Sequence, residues 1–413
     1  MTPIPCSAFL VFLAATGLAG AGIQHVVFDS HARTREKFAT EYVPTLMHEF
    51  PVSEHTWALK DLNPDLPSDW SSFKFLVMEV KASTAQRFLL RLYTADGVRA
   101  LRFHQFGGGV WIRAAVPLSY FQSQSQEGQD LAAVFNKPRS PFWMALVGPF
   151  GPIKAVASLA VAMVAPVGNP TLDVRNVRLS NDDPGSEVLD KLPVVDQFGQ
   201  WIPAEYPGKI KSLEQLKSEW DREDKSLRPG EFGYCQYGGF ASTQAKATGF
   251  FRVEQIDGKW WFVDPDDVIR LGRFFDVYSH NIYEYTPERE WVAKLYKLTG
   301  KPLLIGEFHF GTPTRGQAAA LMQVASEKER GIAYRYYVEQ VASMPSFVGA
   351  HWFAWLDESV TGRMDGENYS FGFIDVTDRA SDEFLQGVIA AHKRLLAVHS
   401  GKSAPVSQKA KVQ

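Results

Sequence analysis

The stretch Leu303-Leu304-Ile305-Gly306-Glu307 is an apolar run that ends in a carboxylate, and it decides the fold predicted for the second half of the chain. Its short length and the preceding Lys301-Pro302 turn signal indicate a buried strand. Similar strand patterns cover residues 274–279 and 347–353. Helical patterns separate and follow these strands, over residues 286–300, 316–343 and 381–398. This β-α-β-α-β-α order predicts parallel strands with helical crossovers, as in an α/β barrel of the (β/α)8 type.

The first half of the chain has the pattern of a β-sandwich. Strand-rich runs cover residues 73–80 and 87–93, and turn signals such as Ala95-Asp96-Gly97 follow them. Residues 172–179 alternate cleanly between apolar and polar side chains. Several short strands at this spacing indicate a sandwich that precedes the barrel region.

A stretch rich in Pro and Gly, residues 181–210, separates the two regions, and Ser212 with Gln215 then forms a capping box at the start of a helix. The predicted protein is therefore multidomain. Its predicted segments are a signal peptide (1–22), a β-sandwich (23–180), a linker and helix (181–235), a partial (β/α) barrel (236–400) and a disordered tail (401–413).

The net charge and the aromatic content indicate which classes of ligand the chain is expected to bind. The 413 residues carry 43 Lys and Arg against 46 Asp and Glu, so the net charge of −3 provides no field that would select nucleic acid. The 11 Trp residues are compatible with stacking on sugar rings, although aromatic side chains also fill protein cores.

The N-terminal apolar run, residues 7–21, is predicted to be the core of a signal peptide, with Ala19-Gly20-Ala21 as its cleavage site. The run is shorter than the roughly 20 apolar residues that a membrane helix needs. We therefore expect a secreted or periplasmic protein with no membrane segment in its mature chain. The alternative is a buried N-terminal strand.

Cysteine and histidine usage argues against metal chemistry. Cys6 would leave with the signal peptide, and Cys235 would then be the one remaining cysteine. The ten His residues are scattered, with no H-x-x-x-H pair on a predicted helix. We therefore expect no disulfide framework, no metal site and no cofactor.

Polar side chains follow directly after the predicted strands in the second half of the chain. In β/α barrels the active site lies at these C-terminal ends of the strands. Glu307 is the candidate nucleophile of a retaining glycosidase, because Glu is rarely buried unless it is paired or functional. The alternative is an ion pair with an Arg that closes the barrel end. The candidate substrate-binding residues are Asn281, Tyr283, His309, Trp352 and Trp355. Of the two Trp residues, Trp352 is preferred, and the alternative role for either is to fill or cover the barrel.

Residues 303–311 and 349–357 resemble the last two strands of the family-50 glycoside hydrolases, the β-agarases. Residues 363–369 and 372–378 resemble the closing region of that family, and residues 246–253 and 258–265 resemble the entry into its barrel. The similarity covers most of residues 190–398. It implies a carbohydrate-binding-like sandwich before the barrel and a polysaccharide substrate, agarose or a related galactan. It further implies hydrolysis of β-glycosidic bonds, with Glu307 on strand seven, Asn281 and Tyr283 on strand six and Trp352 on strand eight.

The chain departs from this pattern in the middle of the barrel. Asp266 is followed almost at once by the strand-six-like Phe275, and the Asn-Glu pair that would carry the acid/base is absent from this part of the sequence. Residues 236–400 number 165, whereas a complete barrel takes about 250. An internal deletion explains both observations.

Because the usual acid/base carboxylate is missing, other residues have to be considered for its role, and three hypotheses about function remain open. Glu284 is the better candidate for the acid/base, ahead of Asp357 and Glu358 after strand eight. Glu288 and Glu290 fit the first turn of a helix instead. The enzyme hypothesis therefore stands beside two alternatives, a non-catalytic carbohydrate-binding remnant and a truncated product.

Overall fold

The computed structural model describes residues 22–39, 47–123, 140–228, 234, 242, 245–246, 251–263, 276–363 and 366–412. The apolar run at 7–21, Cys235 and the junction at 264–275 lie outside these described residues. Within the described ranges, no helix is both long enough and apolar enough to cross a membrane.

Two antiparallel sheets that share one buried core form the N-terminal part, which we call the sandwich. One sheet has the order β1-β10-β4-β7-β11, and the other has the order β2-β3-β9-β5-β6-β8. The strands are β1 (Gln24–Val27), β2 (Arg35–Ala39), β3 (Met47–Ala58), β4 (Phe75–Ala82), β5 (Gln86–Thr94), β6 (Gly97–Gln105), β7 (Ile112–Pro117), β8 (Phe142–Ala145), β9 (Val156–Val164), β10 (Thr171–Ser180) and β11 (Glu187–Val188). Two short helices, α1 (Leu59–Leu62) and α2 (Ser119–Gln122), connect strands.

Strand alternation explains why this part folds as a sandwich. Leu90 and Leu92 of β5 enter the core together with Leu76 and Met78 of β4, so each sheet contributes one apolar face. Arg91, between the two leucines, points to the opposite face of its sheet. The strands predicted at 73–80, 87–93 and 172–179 correspond to β4, β5 and β10.

The segment between the two parts packs against the sandwich instead of running freely over the surface. The indole of Trp201 is buried and donates a hydrogen bond to the carbonyl of Gly108 at 2.7 Å. Helix α3 (Leu213–Ser226) follows, and the Ser212 hydroxyl accepts from the Gln215 N–H as the capping box predicts. The Gln215 side chain in turn accepts from the Lys211 N–H at 2.9 Å.

Residues 251–412, which we call the C-terminal part, contain a hairpin and a parallel sheet. The sheet has the order β14-β15-β16, and both of its pairings are parallel, as predicted. The elements are β12 (Arg252–Ile256), β13 (Lys259–Val263), β14 (Tyr278–His280), α4 (Arg289–Thr299), β15 (Leu303–Phe308), α5 (Glu327–Ala342), β16 (Phe347–Trp352), α6 (Asp382–His392) and α7 (Leu395–His399). Among the described residues this sheet has three strands, and a closed (β/α)8 barrel is not evident.

The prediction of one helix over residues 316–343 is wrong in its first third, because α5 begins only at Glu327. The chain before it is held against the sandwich. Gly316 adopts a positive φ of 83° beside Trp201, and the carbonyls of Ala319 and Ala320 accept hydrogen bonds from the Arg87 guanidinium of β5. These hydrogen bonds hold the segment against β5 in a non-helical conformation, and this explains the shorter helix.

Helix α4 also starts later than the helical pattern over residues 286–300 predicted. It begins at Arg289, after Glu288 in an extended conformation. The preceding loop is anchored because the Tyr285 hydroxyl donates to the Gln323 carbonyl at 2.7 Å. The predicted end is confirmed, since Gly300 terminates the helix in the left-handed region at a φ of 61°.

The tail beyond residue 400, predicted to be disordered, lies instead along α5. The buried carboxylate of Glu339 accepts from the Val406 N–H at 2.8 Å, and the carbonyl of Lys411 accepts from the Ala325 N–H at 3.0 Å. Glu339 also forms ion pairs with Arg335 and Arg394. Composition suggested disorder because the tail has few apolar residues, but its backbone supplies the hydrogen bonds that hold it.

We predict that ending the chain at Gly401 lowers the free energy of unfolding by at least about 2 kcal/mol, because the hydrogen bonds between residues 402–412 and the rest of the chain, one of them to the buried carboxylate of Glu339, are lost. Urea denaturation of the full and shortened chains measures this difference. A Lys409→Ala variant of the full chain is the control, since it removes a side chain that lies 5.7 Å over the Tyr336 ring and leaves the backbone contacts in place. Equal midpoints for the full and shortened chains would contradict the prediction.

Candidate active site

Two neighbouring strands bring Tyr283 to Glu307. Strands β14 and β15 are parallel, and His280 is paired with Ile305. The chain continues beside β15, where the Ile282 N–H donates to the carbonyl of Glu307 at 3.0 Å. This places the Tyr283 hydroxyl at 2.7 Å from Oε2 of Glu307, to which it donates a hydrogen bond. A donor in this position fixes the orientation of the carboxylate.

Gly306 lets Asn281 approach the strand that carries Glu307. A Cβ atom at residue 306 would lie 2.6 Å from Oδ1 of Asn281 and 2.6 Å from Oγ of Ser279. Because such contacts are too short for a carbon atom, glycine is needed for this close packing. The structure thus gathers Asn281, Tyr283 and Glu307 at the C-terminal end of the parallel sheet, as the sequence predicts.

His309 does not fit the role of a substrate ligand that the sequence suggested. Its ring is buried, and the Leu321 N–H donates to Nε2 at 3.1 Å. The proton must then sit on Nδ1, which lies 2.9 Å from the Phe353 carbonyl. Burial lowers the pKa of His309 to about 3, so the ring is neutral. Both nitrogens are used by the backbone, and His309 ties the loops after β15 and β16 together.

The two candidate tryptophans differ in exposure, and the difference is the reverse of what their predicted roles require. Trp352 is largely packed in an aromatic cluster, with its ring 5.2 Å from that of Phe308 in an edge-to-face contact and its Nε1–H donating to the Phe371 carbonyl. Trp355 is 64% exposed, and its inner face stacks on Phe373 at 5.4 Å. Trp352 therefore has the role of core filler that the sequence left open, and Trp355 presents a free aromatic face.

Glu284, the candidate acid/base, is buried and directed at the sandwich. Its Oε2 lies 2.6 Å from Nε2 of His48, a residue of β3. The neighbouring Tyr283 reaches Glu307 instead. The structure therefore ties Glu284 to a sandwich residue, a contact that the spacing of the sequence did not indicate.

Asp357 and Glu358 are tied into the C-terminal part itself. Oδ1 of Asp357 accepts from the Gly372 N–H at 2.6 Å, and Arg315 lies 3.4 Å from its other oxygen. Oε2 of Glu358 accepts from the Tyr369 N–H at 2.8 Å. Burial raises the pKa of Asp357 to about 6, although Arg315 acts in the opposite direction.

This pKa predicts a pH dependence of stability. Because the folded value of about 6 lies above the ordinary 3.8, the Asp357 carboxyl group stabilises the fold below about pH 4. That contribution is lost as the pH rises through 6. We expect that the Asp357→Asn variant does not show this loss. The difference in free energy of unfolding, variant minus parent, should therefore increase from pH 4 to pH 6.5. Urea denaturation at several pH values tests this, and a constant difference would contradict it.

The described ranges hold no group of three or more His, Cys, Asp or Glu side chains that could bind a metal ion. The chemistry available at this site is that of Glu307, a hydroxyl donor beside it and nearby aromatic faces. Sequence analysis missed the sandwich residues His48 and Arg87, which contact Glu284 and the loop at Ala319. No local motif marks them, because their partners lie more than 200 residues further along the chain.

Comparison with known proteins shows which proteins this chain is similar to. Over 122 residues the chain is 40% identical to β-agarase B of Vibrio sp. strain JT0107, a match that covers 29% of this chain and 13% of that relative. Over this segment the chain is similar to the β-agarases. A second match, 38% identical over 124 residues, is to β-agarase A of the same strain and covers 12% of its length. The matches thus span about an eighth of the curated relatives. No protein-family model matches this chain.

Solved structures share the fold of this chain. A structure of an exo-β-agarase aligns with a TM-score of 0.51 and 15% identity, over 91% of this chain and 98% of that one. The agarase AgWH50C aligns with a TM-score of 0.50 and 14% identity, over 88% and 97%. At these identities the alignments support the fold alone.

Proposed function

We propose that the chain is an agarase-like glycoside hydrolase that cleaves β-glycosidic bonds of an agar-type galactan with retention, and that Glu307 is its nucleophile. The observation that carries this proposal is the position of the Glu307 carboxylate at the C-terminal end of β15, held by the Tyr283 hydroxyl at 2.7 Å. The identity to two β-agarases supports the polysaccharide class of the substrate.

In this mechanism an oxygen of Glu307 attacks the anomeric carbon and forms a glycosyl–enzyme ester, while an acid protonates the departing glycosidic oxygen. The same group then acts as a base toward the water that hydrolyses the ester. The Tyr283 hydroxyl holds the Glu307 carboxylate in a fixed orientation before the attack. Asn281, beside Gly306, is placed to hydrogen-bond a sugar hydroxyl, and the exposed face of Trp355 offers a surface on which a sugar ring can stack.

The proposal treats β14, β15 and β16 as strands six, seven and eight of a (β/α)8-type barrel from which an internal deletion has removed the middle. The three parallel strands and the short distance in sequence between β13 and β14 support this interpretation. The apolar run at residues 7–21 supports a secreted or periplasmic location. The acid/base remains unassigned, since the contact of Glu284 with His48 does not favour that role.

A second candidate function is carbohydrate binding without hydrolysis. The observation that favours it is the length of the barrel region, 165 residues from 236 to 400, together with a carboxylate at Glu284 that is bonded to the sandwich. Release of reducing ends from agarose, measured for the parent and for Glu307→Gln, separates the two functions. A parent that binds agarose without releasing reducing ends would favour the second.

A further inference from the structure

His309 lies directly after β15, two positions beyond Glu307, and its ring packs against Tyr283. The ring centroids of Tyr283 and His309 are 4.6 Å apart, with an angle of 61° between the ring planes. The hydroxyl at the far end of Tyr283 donates to Oε2 of Glu307 at 2.7 Å. One tyrosine therefore connects the buried imidazole to the candidate nucleophile.

The imidazole is held at both nitrogens and on one face. Nε2 accepts from the Leu321 N–H at 3.1 Å, and Nδ1 donates to the Phe353 carbonyl at 2.9 Å. Phe371 stacks on the ring, with centroids 4.6 Å apart and an angle of 19° between the planes. Because the two bonds go to different loops, the ring cannot shift without breaking a buried backbone hydrogen bond.

A fixed imidazole limits the positions that the Tyr283 hydroxyl can take. The hydroxyl lies at the end of a long, stiff side chain, so a tilt of about 10° would move it by about 1 Å and break a hydrogen bond of ordinary length. Edge-to-face contacts between rings have a preferred geometry. The His309 ring therefore favours the one orientation of the phenol that reaches Glu307.

The properties of His309 fit a positional role better than a role in proton transfer. Burial lowers the pKa of His309 to about 3, so the ring is neutral and adds no charge beside Glu307. Both nitrogens are engaged by the backbone of Leu321 and Phe353. What the ring offers to the site is its shape and its fixed place.

We propose that His309 is a positioning residue that acts through Tyr283, whose hydroxyl it holds in the place from which the Glu307 carboxylate is oriented for attack. This inference rests on the proposed function for the role of Glu307. It implies that His309 and Tyr283 act as one unit. Once the hydroxyl is removed, loss of the His309 ring should have little further effect on the rate.

The test measures the attack step by itself, with 2,4-dinitrophenyl β-galactoside as the substrate. An oxygen of Glu307 bonds to the anomeric carbon while the bond to the phenol oxygen breaks, and the electron pair leaves on dinitrophenolate without the help of an acid. Stopped-flow absorbance gives the rate of this burst for the full chain, His309→Gln, Tyr283→Phe and the double variant. We expect a loss of about tenfold in each single variant and again about tenfold in the double variant, whereas independent effects would multiply to about 100-fold.

Two further variants separate the ring contact from a general loss of structure. His309→Phe keeps a flat ring beside Tyr283 and gives up both backbone bonds, so its burst rate should stay closer to the parent than that of His309→Gln. His392→Gln is the matched control, because His392 of α6 contacts the Tyr334 hydroxyl at 2.8 Å, and its burst rate should equal the parent's. Thermal unfolding shows which variants remain folded, and His309→Asn replaces His309→Gln if the latter does not fold.

Crystal structures of the folded variants give a readout that does not depend on turnover. We expect the Tyr283 hydroxyl to leave hydrogen-bond distance of Glu307 in His309→Gln and to keep it in His392→Gln. A His309→Gln structure with that hydrogen bond intact overturns the inference. So does a parent-like burst in folded His309→Gln, a His309→Phe rate as low as that of His309→Gln, or a double variant about 100-fold slower than the parent.

Failure of the proposed function gives a different result. A parent chain without a burst, or a Glu307→Gln variant with the same burst as the parent, refutes Glu307 as the nucleophile. The distance between the Tyr283 hydroxyl and Glu307 in the His309→Gln structure then still decides whether His309 positions the tyrosine.

Discussion

Substitution of Glu307 by Gln is expected to reduce the release of reducing ends from agarose by at least about 10³-fold, because an amide cannot form the glycosyl–enzyme ester. Gln has almost the same size, and its amide oxygen can still accept from the Tyr283 hydroxyl. The loss should therefore fall on kcat, while binding of the polysaccharide and the unfolding temperature stay close to those of the parent. Initial rates over a range of agarose concentrations measure this.

Two further variants sharpen the experiment. Tyr283→Phe removes the hydrogen bond at 2.7 Å to Oε2 of Glu307 and keeps the ring. We expect a loss of about tenfold in kcat, because the carboxylate is then held less firmly in the orientation needed for attack. Glu329→Gln, a change at the start of α5, should leave the rate unchanged. Equal activity of Glu307→Gln and the parent would refute the assignment of the nucleophile.

Replacing Arg330 by Ala should have the largest effect on stability, a loss of about 3–5 kcal/mol in the free energy of unfolding. Its guanidinium is fully buried and donates to the carbonyls of Phe371 and Gly372 at 2.7 and 2.8 Å and to Glu327 at 2.7 Å. It also lies 4.2 Å over the Phe384 ring. The substitution removes the donor to the Gly372 carbonyl, leaves the Phe371 carbonyl with only the Trp352 Nε1–H, and opens space between α5 and α6.

Arg222→Ala is the matched control on the surface. The Arg222 side chain is 67% exposed and pairs with Glu219 on the same helix at 2.8 Å, so its loss should cost far less stability than the loss of Arg330. Chemical denaturation of the parent and both variants gives the comparison. A cost for Arg330→Ala no greater than that for Arg222→Ala would show that the buried network contributes no stability.

Patterns that depend on near neighbours predicted much of the fold. The alternation of Leu90, Arg91 and Leu92 is a local property of a strand, and the structure places these side chains as the period of two requires. Glu307 could be recognised because an apolar strand runs directly into it. Gly300 ended its helix for a similar reason, since a left-handed residue is needed at that point.

Contacts between distant segments could not be predicted. Glu284 resembled a free carboxylate after a strand, and only the folded chain brings it to His48, 236 residues away. The helical pattern over 316–326 was overridden because Arg87 binds the carbonyls of Ala319 and Ala320. Trp352 and Trp355 differ by three positions, and which ring becomes buried depends on partners such as Phe308 and Phe384.

The hydrogen bonds from Arg87 to the loop before α5 link the folding of the C-terminal part to that of the sandwich. Residues of the sandwich leave the ribosome before any of the C-terminal part, and domains commonly begin to fold in that order. A folded sandwich then presents Arg87 as a ready donor when Ala319 and Ala320 emerge. The sandwich can thus serve as a template on which the later, smaller sheet is assembled during translation.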